Sequence, residues 1–342
     1  MIRDEEHIFR DHDYIETVEG WIFCVVSDSH PPGRILAYLK YVPGEGMWYR
    51  NGVKFARMIR SYSMEQIKNT ISYVRDRRPD YIYLDPTTME EFTYPPIPTI
   101  VRHYKAEERL RQIMERPRWR REYDCERIAL QLSEGDKALL NSMGVSGSLL
   151  PGLIYENADV DLLVYGRDNY LRVLELSSET QSKHDVERLE KIWLSSFMER
   201  YRIAKDDALR FFKRVRNRGF HEGVPYSVHA VRKIGEISER YGDRIYRPMG
   251  VARTTLRILD VSDSYFMPSV YRVEGRVAGV DVETLTCYDS TFAGLLEEGD
   301  EVEVFGKLEK VKIMENDREY LNMLVGSISL GGLEYIRLLG SS

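Results

Sequence analysis

Two aspartates occupy alternate positions of an otherwise apolar run, Asp159-Val160-Asp161-Leu162-Leu163-Val164, separated by ten residues from the pair Gly147-Ser148. Side chains of an extended segment alternate between its two faces, so carboxylates at i and i+2 leave from the same side. Two like charges held together are costly, and a cation shared between them removes the cost. Hard carboxylate oxygens suit Mg²⁺ or Mn²⁺; Mg²⁺ takes one or two protein carboxylates and completes its shell with phosphate oxygens and water. Gly147-Ser148 follows a short apolar run and offers what a phosphate chain needs: close backbone approach, exposed N–H groups and a hydroxyl. Gly152 tightens the turn that follows. Plainer readings stand beside these. Asp159 and Asp161 could be outward acids of a solvated edge strand, although Leu162-Leu163-Val164 speaks against an edge. Ser148 could be an ordinary turn residue or helix cap.

Those residues need a strand on each side of a turn, and the surrounding pattern supplies them. Helical periodicity is expected over about 104–116 and 123–142, followed by strand, turn, loop and strand across 144–166. Asp168–Leu176 reads as a short helix. Ser182, with Asp185 at the third helical position, opens a longer one whose Val186, Leu189, Ile192, Trp193 and Phe197 share a face. A helix over 205–218 ends at Gly219, and Tyr226–Arg232 alternates like a strand. Upstream, Gly20–Val26 reads as a strand, His30-Pro31-Pro32-Gly33 as a rigid turn, and Arg34–Val42 as a second strand. Ser63 with Gln66 has the form of a capping box for a helix running to about Arg78. The proline-rich stretch from Pro79 reads as a linker closing an N-terminal unit near residue 100. After about residue 245, period-2 segments such as "SVYRVEGRVAGV" and "EVEVFGKLEKVKI" suggest a small antiparallel barrel or sandwich.

Gly147-Ser148, ten residues, then Asp159-Val160-Asp161-Leu162 resembles the signature of the DNA polymerase β-like nucleotidyltransferase superfamily. The chain as a whole, including the His30-Pro31-Pro32-Gly33 turn and "EEGDEVEVFGKLEKV", resembles an archaeal group of predicted nucleotidyltransferases. The resemblance implies an α+β multidomain protein. Its parts are an N-terminal α+β domain over 1–100, a nucleotidyltransferase-like domain with a mixed sheet and helices over 101–240, and an OB-like β-barrel over 241–342. It also implies a two-metal mechanism in which Asp159 and Asp161 hold the divalent ions, Gly147 and Ser148 grip the β and γ phosphates of a nucleoside triphosphate, and a hydroxyl acceptor receives the nucleotide as pyrophosphate leaves. One feature departs from the superfamily pattern. Its catalysing members bring a third carboxylate on a later strand, where "VPYSVHAVRK" here offers Ser227 and His229. His229 is then a substitute base. Glu175 would serve only if its segment were a strand, and it reads as helix. The missing acid keeps a second expectation open, a catalytically degenerate protein that binds nucleotide or RNA. A purely structural partner protein is a third.

Charge narrows the partners. The chain carries 49 Lys and Arg against 55 Asp and Glu, a net −6, which gives no blanket attraction to nucleic acid. Arg109–Arg121 contains six arginines and one glutamate, and the stretch "ERPRWRRE" with Trp119 could contact phosphates and stack a base, or form a solvated ion-paired helix end. Lys205–Arg218 contains six basic residues and two aspartates, and Lys213, Arg214, Arg216 and Arg218 within it could flank a triphosphate or an RNA backbone. Glu297–Glu319 holds nine acids and four bases, which favours packing or protein docking over nucleic acid for the C-terminal segment. No window approaches 18 consecutive apolar residues, and the N-terminus opens with charges, so no membrane partner is expected. Cys24, Cys125 and Cys287 lie far apart without a Cys-x-x-Cys pair, the pattern of a cytoplasmic protein without structural zinc.

Overall fold

The computed structural model describes residues 8–59 and 64–340, an α+β chain with mixed sheets and seven α-helices. Contacts divide it into two compact units: Met1–Met47, Val53–His103 and Ile237–Gly340 form one, and Trp48–Gly52 with Tyr104–Glu236 the other. The first and last of the three segments expected from the sequence thus fall in the same unit.

That unit opens with β1 (Tyr14–Thr17), β2 (Ile22–Val25), β3 (Ala37–Arg50), β4 (Val53–Arg57) and α1 (Met64–Arg77). All four residues of β2 are buried, as an internal strand requires, and Phe23 and Val25 pack with Phe9, Trp21, Ile35 and Tyr81. β3 runs past the expected end at Val42. Its pairing with β2 covers only Ala37 to Tyr41, so Pro43 removes no hydrogen bond from that ladder. Ser63, half of the expected capping box, lies outside the described residues. The stretch read as a linker is a correction: it contains β5 (Ile82–Asp85) and β6 (Glu90–Thr93), an antiparallel hairpin, followed by β7 (Ile100–Tyr104). The buried Asp85 orders the hairpin turn, accepting from the Thr87 N–H and hydroxyl and from the hydroxyls of Tyr94 and Tyr241. The first sheet has the order β4-β3-β2-β1-β7.

The second unit begins with α2 (Ala106–Glu115), α3 (Arg120–Leu132) and α4 (Lys137–Asn141). One helix was expected over 123–142; instead Glu134 and Gly135 turn left-handed, and Asp136 caps a new helix by accepting from Ala138 and Leu139 N–H. β8 (Met143–Val145), β9 (Val160–Tyr165), α5 (Arg167–Glu179), α6 (Lys183–Tyr201) and α7 (Lys205–Phe212) follow, then β10 (Arg218–His221) and β11 (Val224–Val231). Ser182 caps α6 through the Asp185 N–H, as its position predicts. α7 stops at Phe212, well short of Gly219, because residues 217–221 are drawn into pairing with β11. The sheet order is β10-β11-β9-β8, with β9 and β11 parallel and the outer pairs antiparallel.

The last segment, back in the first unit, holds β12 (Arg244–Asp260), β13 (Ser269–Val277), β14 (Val280–Cys287), β15 (Glu301–Ile313), β16 (Glu319–Val325) and β17 (Tyr335–Leu338). Its order is β12-β13-β14-β16-β15-β17, and β12 pairs β15 as well as β13. The sheet is not wholly antiparallel: β14 and β16 run parallel. Lys307 on β15 is buried between Glu90 and Glu309, at 2.6 and 2.9 Å, tying the β5–β6 hairpin to this sheet. Among the described residues, no helix is long and apolar enough to cross a membrane.

His30 clamps the turn before β3. Its Nε2 donates to the Phe9 carbonyl at 3.1 Å and its Nδ1 accepts the Leu36 N–H at 3.2 Å, so the ring is neutral with the proton on Nε2. Burial lowers its pKa from 6.5 to about 4. Because the folded value lies below the unfolded one, the stability that comes from keeping this ring neutral is present above pH 6.5 and lost as pH falls toward 4. We expect the stability advantage of the native protein over His30→Gln to shrink by on the order of 3 kcal/mol between pH 7 and 4 in denaturant titrations. Parallel pH curves for the two proteins would contradict it.

Candidate functional site

β9 is covered on both faces. Val160, Leu162, Leu163, Val164 and Tyr165 are all buried, and Asp161 is its one partly exposed residue. A carboxylate in such a strand must find donors or a cation. Ser227, opposite Asp161 on the parallel strand β11, donates its hydroxyl to Asp161 Oδ1 at 2.6 Å. A hydrogen bond to a charged acceptor contributes about 1.5–3 kcal/mol. His229 lies two residues along the same face, with Nε2 3.0 Å from Ser227 Oγ. Since the Ser227 proton is given to Asp161, His229 Nε2 carries the proton of that second bond, and a proton acceptor on this ring can only be Nδ1.

The other oxygen of Asp161 meets the turn after β8. A Cβ on Gly147 would collide with Asp161 Oδ2 and lie 3.3 Å from its Cγ, so the carboxylate is seated against the Gly147 α-carbon. The main chain fixes this approach, because Ser146 N–H donates to the Asp161 carbonyl at 2.8 Å. Gly147 also has φ +62°, in the left-handed region. Beyond it the chain stays in a turn and does not enter a helix. Leu150 N–H returns to the Ser146 carbonyl, Gly152 N–H to Leu149, and Leu153 N–H to Ser148.

Within that turn Gly147, Ser148 and Leu149 are buried, yet among the described residues nothing accepts from their three N–H groups, and nothing engages the Ser148 hydroxyl. Buried donors left open are costly, and successive open N–H groups form an anion cradle. The cradle lies against a carboxylate, so an anion there needs a cation between the two. Asp159 immediately precedes β9 and is exposed. Among the described residues no three His, Cys, Asp or Glu side chains group so as to hold a metal ion. Asp159 and Asp161 could supply two hard oxygen ligands to a divalent ion, which would complete its shell with phosphate oxygens and water. Glu175 lies on α5 and is exposed, as its helical reading required.

The connection from Gly147 to Asp159 is braced by arginines for which the sequence suggested no such role. Arg109 Nε donates to the Leu149 carbonyl at 3.1 Å and pairs with the buried Glu122. Arg121, itself buried, donates to the Glu156 carbonyl at 2.6 Å and pairs with Asp124 at 2.9 Å. These two hold opposite ends of the site loop, so they are positioning residues. Arg50 adds a bond to the Pro151 carbonyl at 3.2 Å, and Tyr49 forms a β-bridge with Ile154. No sequence periodicity marks such bonds, since they run from a side chain to a distant carbonyl. Lys213 caps the C-terminal end of α7, with Arg214 next; no strand pairing carries either into the Asp161 row. The register instead places Arg218 opposite Ser227.

Comparison with known proteins adds a relative to this geometry. The chain is similar to an uncharacterized protein, MJ1086, of Methanocaldococcus jannaschii, at 28% identity over 96% of this chain and 98% of that protein. No protein-family model matches the chain. No solved structure matches it either.

Gly147 and Gly152 separate two penalties. Both have positive φ, +62° and +70°, but a Cβ on Gly152 meets nothing within 4 Å. Gly152→Ala should cost about 1 kcal/mol from the backbone alone. Gly147→Ala should cost about 2–3 kcal/mol, because Asp161 must also move. Equal losses in urea unfolding would contradict the seating of Asp161 on Gly147.

Proposed function

We propose that the chain is a Mg²⁺-dependent nucleotidyltransferase that moves a nucleoside monophosphate from a nucleoside triphosphate to a hydroxyl acceptor in an RNA, a protein or a small molecule. The observation that carries this reading is the buried, open N–H cradle of Gly147, Ser148 and Leu149 lying against the carboxylate of Asp161. The cradle and the Ser148 hydroxyl receive the β and γ phosphates, with Gly152 closing the turn beneath them. Asp159 and Asp161 hold Mg²⁺ or Mn²⁺, which neutralises charge on the phosphate chain and on the attacking oxygen when bound. Ser227 fixes the orientation of Asp161, and His229 takes the acceptor's proton at Nδ1. Lys213 and Arg214 belong to a run with Arg216 and Arg218 that leads into β10 and suits an incoming polyphosphate or RNA backbone.

The finer fold reading belongs here too. The mixed sheet carrying a Gly-Ser turn beside Asp161 supports a polymerase β-like central unit. The return of β12 to β15, with β14 parallel to β16, supports an OB-like barrel. The three free, buried cysteines suit a cytoplasmic protein.

Incubation with each labelled triphosphate and Mg²⁺ tests the activity. Pyrophosphate should be released, and Asp159→Ala or Asp161→Ala should slow release at least a hundredfold. One observation favours a second reading, a nucleotide- or RNA-binding protein without transfer: Ser227 and His229 occupy the strand where a third acid would complete a two-ion site. Thermal stabilisation by a triphosphate without pyrophosphate release would select it.

A further inference from the structure

The row that crosses the central sheet at Asp161 does not stop at Ser227. Asp161 is opposite Ser227 on β11, and Ser227 is opposite Arg218 on β10. Residues directly opposite in adjacent strands project from the same face, with Cβ atoms about 5 Å apart. An arginine two strands from a carboxylate therefore spans most of the gap with its own side chain. Arg218 is exposed, and no described residue makes a hydrogen bond or ion pair with its guanidinium. Such a cation, beside a two-carboxylate site, is the group that the rest of the row leaves unexplained.

We propose that Arg218 supplies the positive charge that a second divalent ion would supply in a two-metal site, so that the reaction runs with one ion and one guanidinium. This rests on the nucleotidyltransferase reading and specifies its substrate contact. Ser227 stands where a third carboxylate would help hold a second ion, and it is neutral, with its hydroxyl committed to Asp161. The next position in the row is the permanently charged Arg218. In the transfer step the acceptor oxygen attacks the α-phosphorus and forms the new P–O bond. The bond from that phosphorus to the oxygen bridging toward the β-phosphate breaks, and pyrophosphate leaves with the electron pair. The acceptor's proton passes to His229. Arg218 donates N–H bonds to oxygens of the α-phosphoryl group as negative charge shifts across it, and its planar fork can engage two oxygens at once.

The test uses the full chain with inorganic tripolyphosphate and Mn²⁺, counting protein-bound Mn²⁺ by electron paramagnetic resonance. One Mn²⁺ per chain is expected in the ternary complex. Arg218→Ala should weaken tripolyphosphate binding about tenfold or more while leaving the melting temperature of the free protein unchanged. Arg218→Lys, which keeps the charge and loses the fork, should recover part of the loss. Two Mn²⁺ per chain, or unchanged affinity in Arg218→Ala, overturns the role of Arg218 and leaves the nucleotidyltransferase reading standing. A native protein that binds neither tripolyphosphate nor Mn²⁺ overturns both.

Discussion

A carboxylate resting on a glycine α-carbon sets the geometry of the central unit. Asp161 is the one partly exposed residue of a strand otherwise buried, so its carboxylate needs donors or a cation. One oxygen takes the Ser227 hydroxyl and the other lies against Gly147, a position where no side chain fits. With this contact go the left-handed turn at Gly147, the main-chain bond from Ser146 that fixes the approach, and the open N–H groups that follow. The site is a polar defect that the sheet tolerates because three strands converge to support it.

The arrangement is held by arginines paired with buried acids. Arg109 and Arg121 use buried acids to aim guanidinium groups at the carbonyls of Leu149 and Glu156. Removing one partner from a buried pair of this kind typically costs about 3–5 kcal/mol, since the other is left charged and unpaired. The loop between the two signature elements is thus anchored near both ends, which limits the freedom of Asp159 and the cradle before any ligand arrives.

Much of this was readable from residue types at fixed spacing. The apolar run around Asp161, the Ser182 cap and the period-2 texture after residue 245 each depend on local pattern, and each has its counterpart in the structure. What could not be read depends on partners distant in sequence. The β5–β6 hairpin hid among prolines because Asp85, not a turn motif, orders it. β10 is four residues long and exists through its pairing with β11, which also ends α7 early. The arginine-rich stretch around Trp119 offered two surface roles, phosphate contact or a solvated helix end, and only the distances to Leu149 and Glu156 show that Arg109 and Arg121 are turned to loop carbonyls instead. For the same reason composition put Lys213, Arg214, Arg216 and Arg218 forward together, and only the register singles out Arg218 as the one opposite Ser227.

The most direct test of the account is the anomalous difference map of a crystal grown with Mn²⁺ and tripolyphosphate. A single Mn²⁺ peak bridging Asp159, Asp161 and the phosphate chain, with phosphate oxygens on the N–H groups of Gly147, Ser148 and Leu149, is the result the account predicts. A map with no ion at Asp161, or with those N–H groups turned onto protein acceptors and Asp161 withdrawn from Gly147, would contradict it.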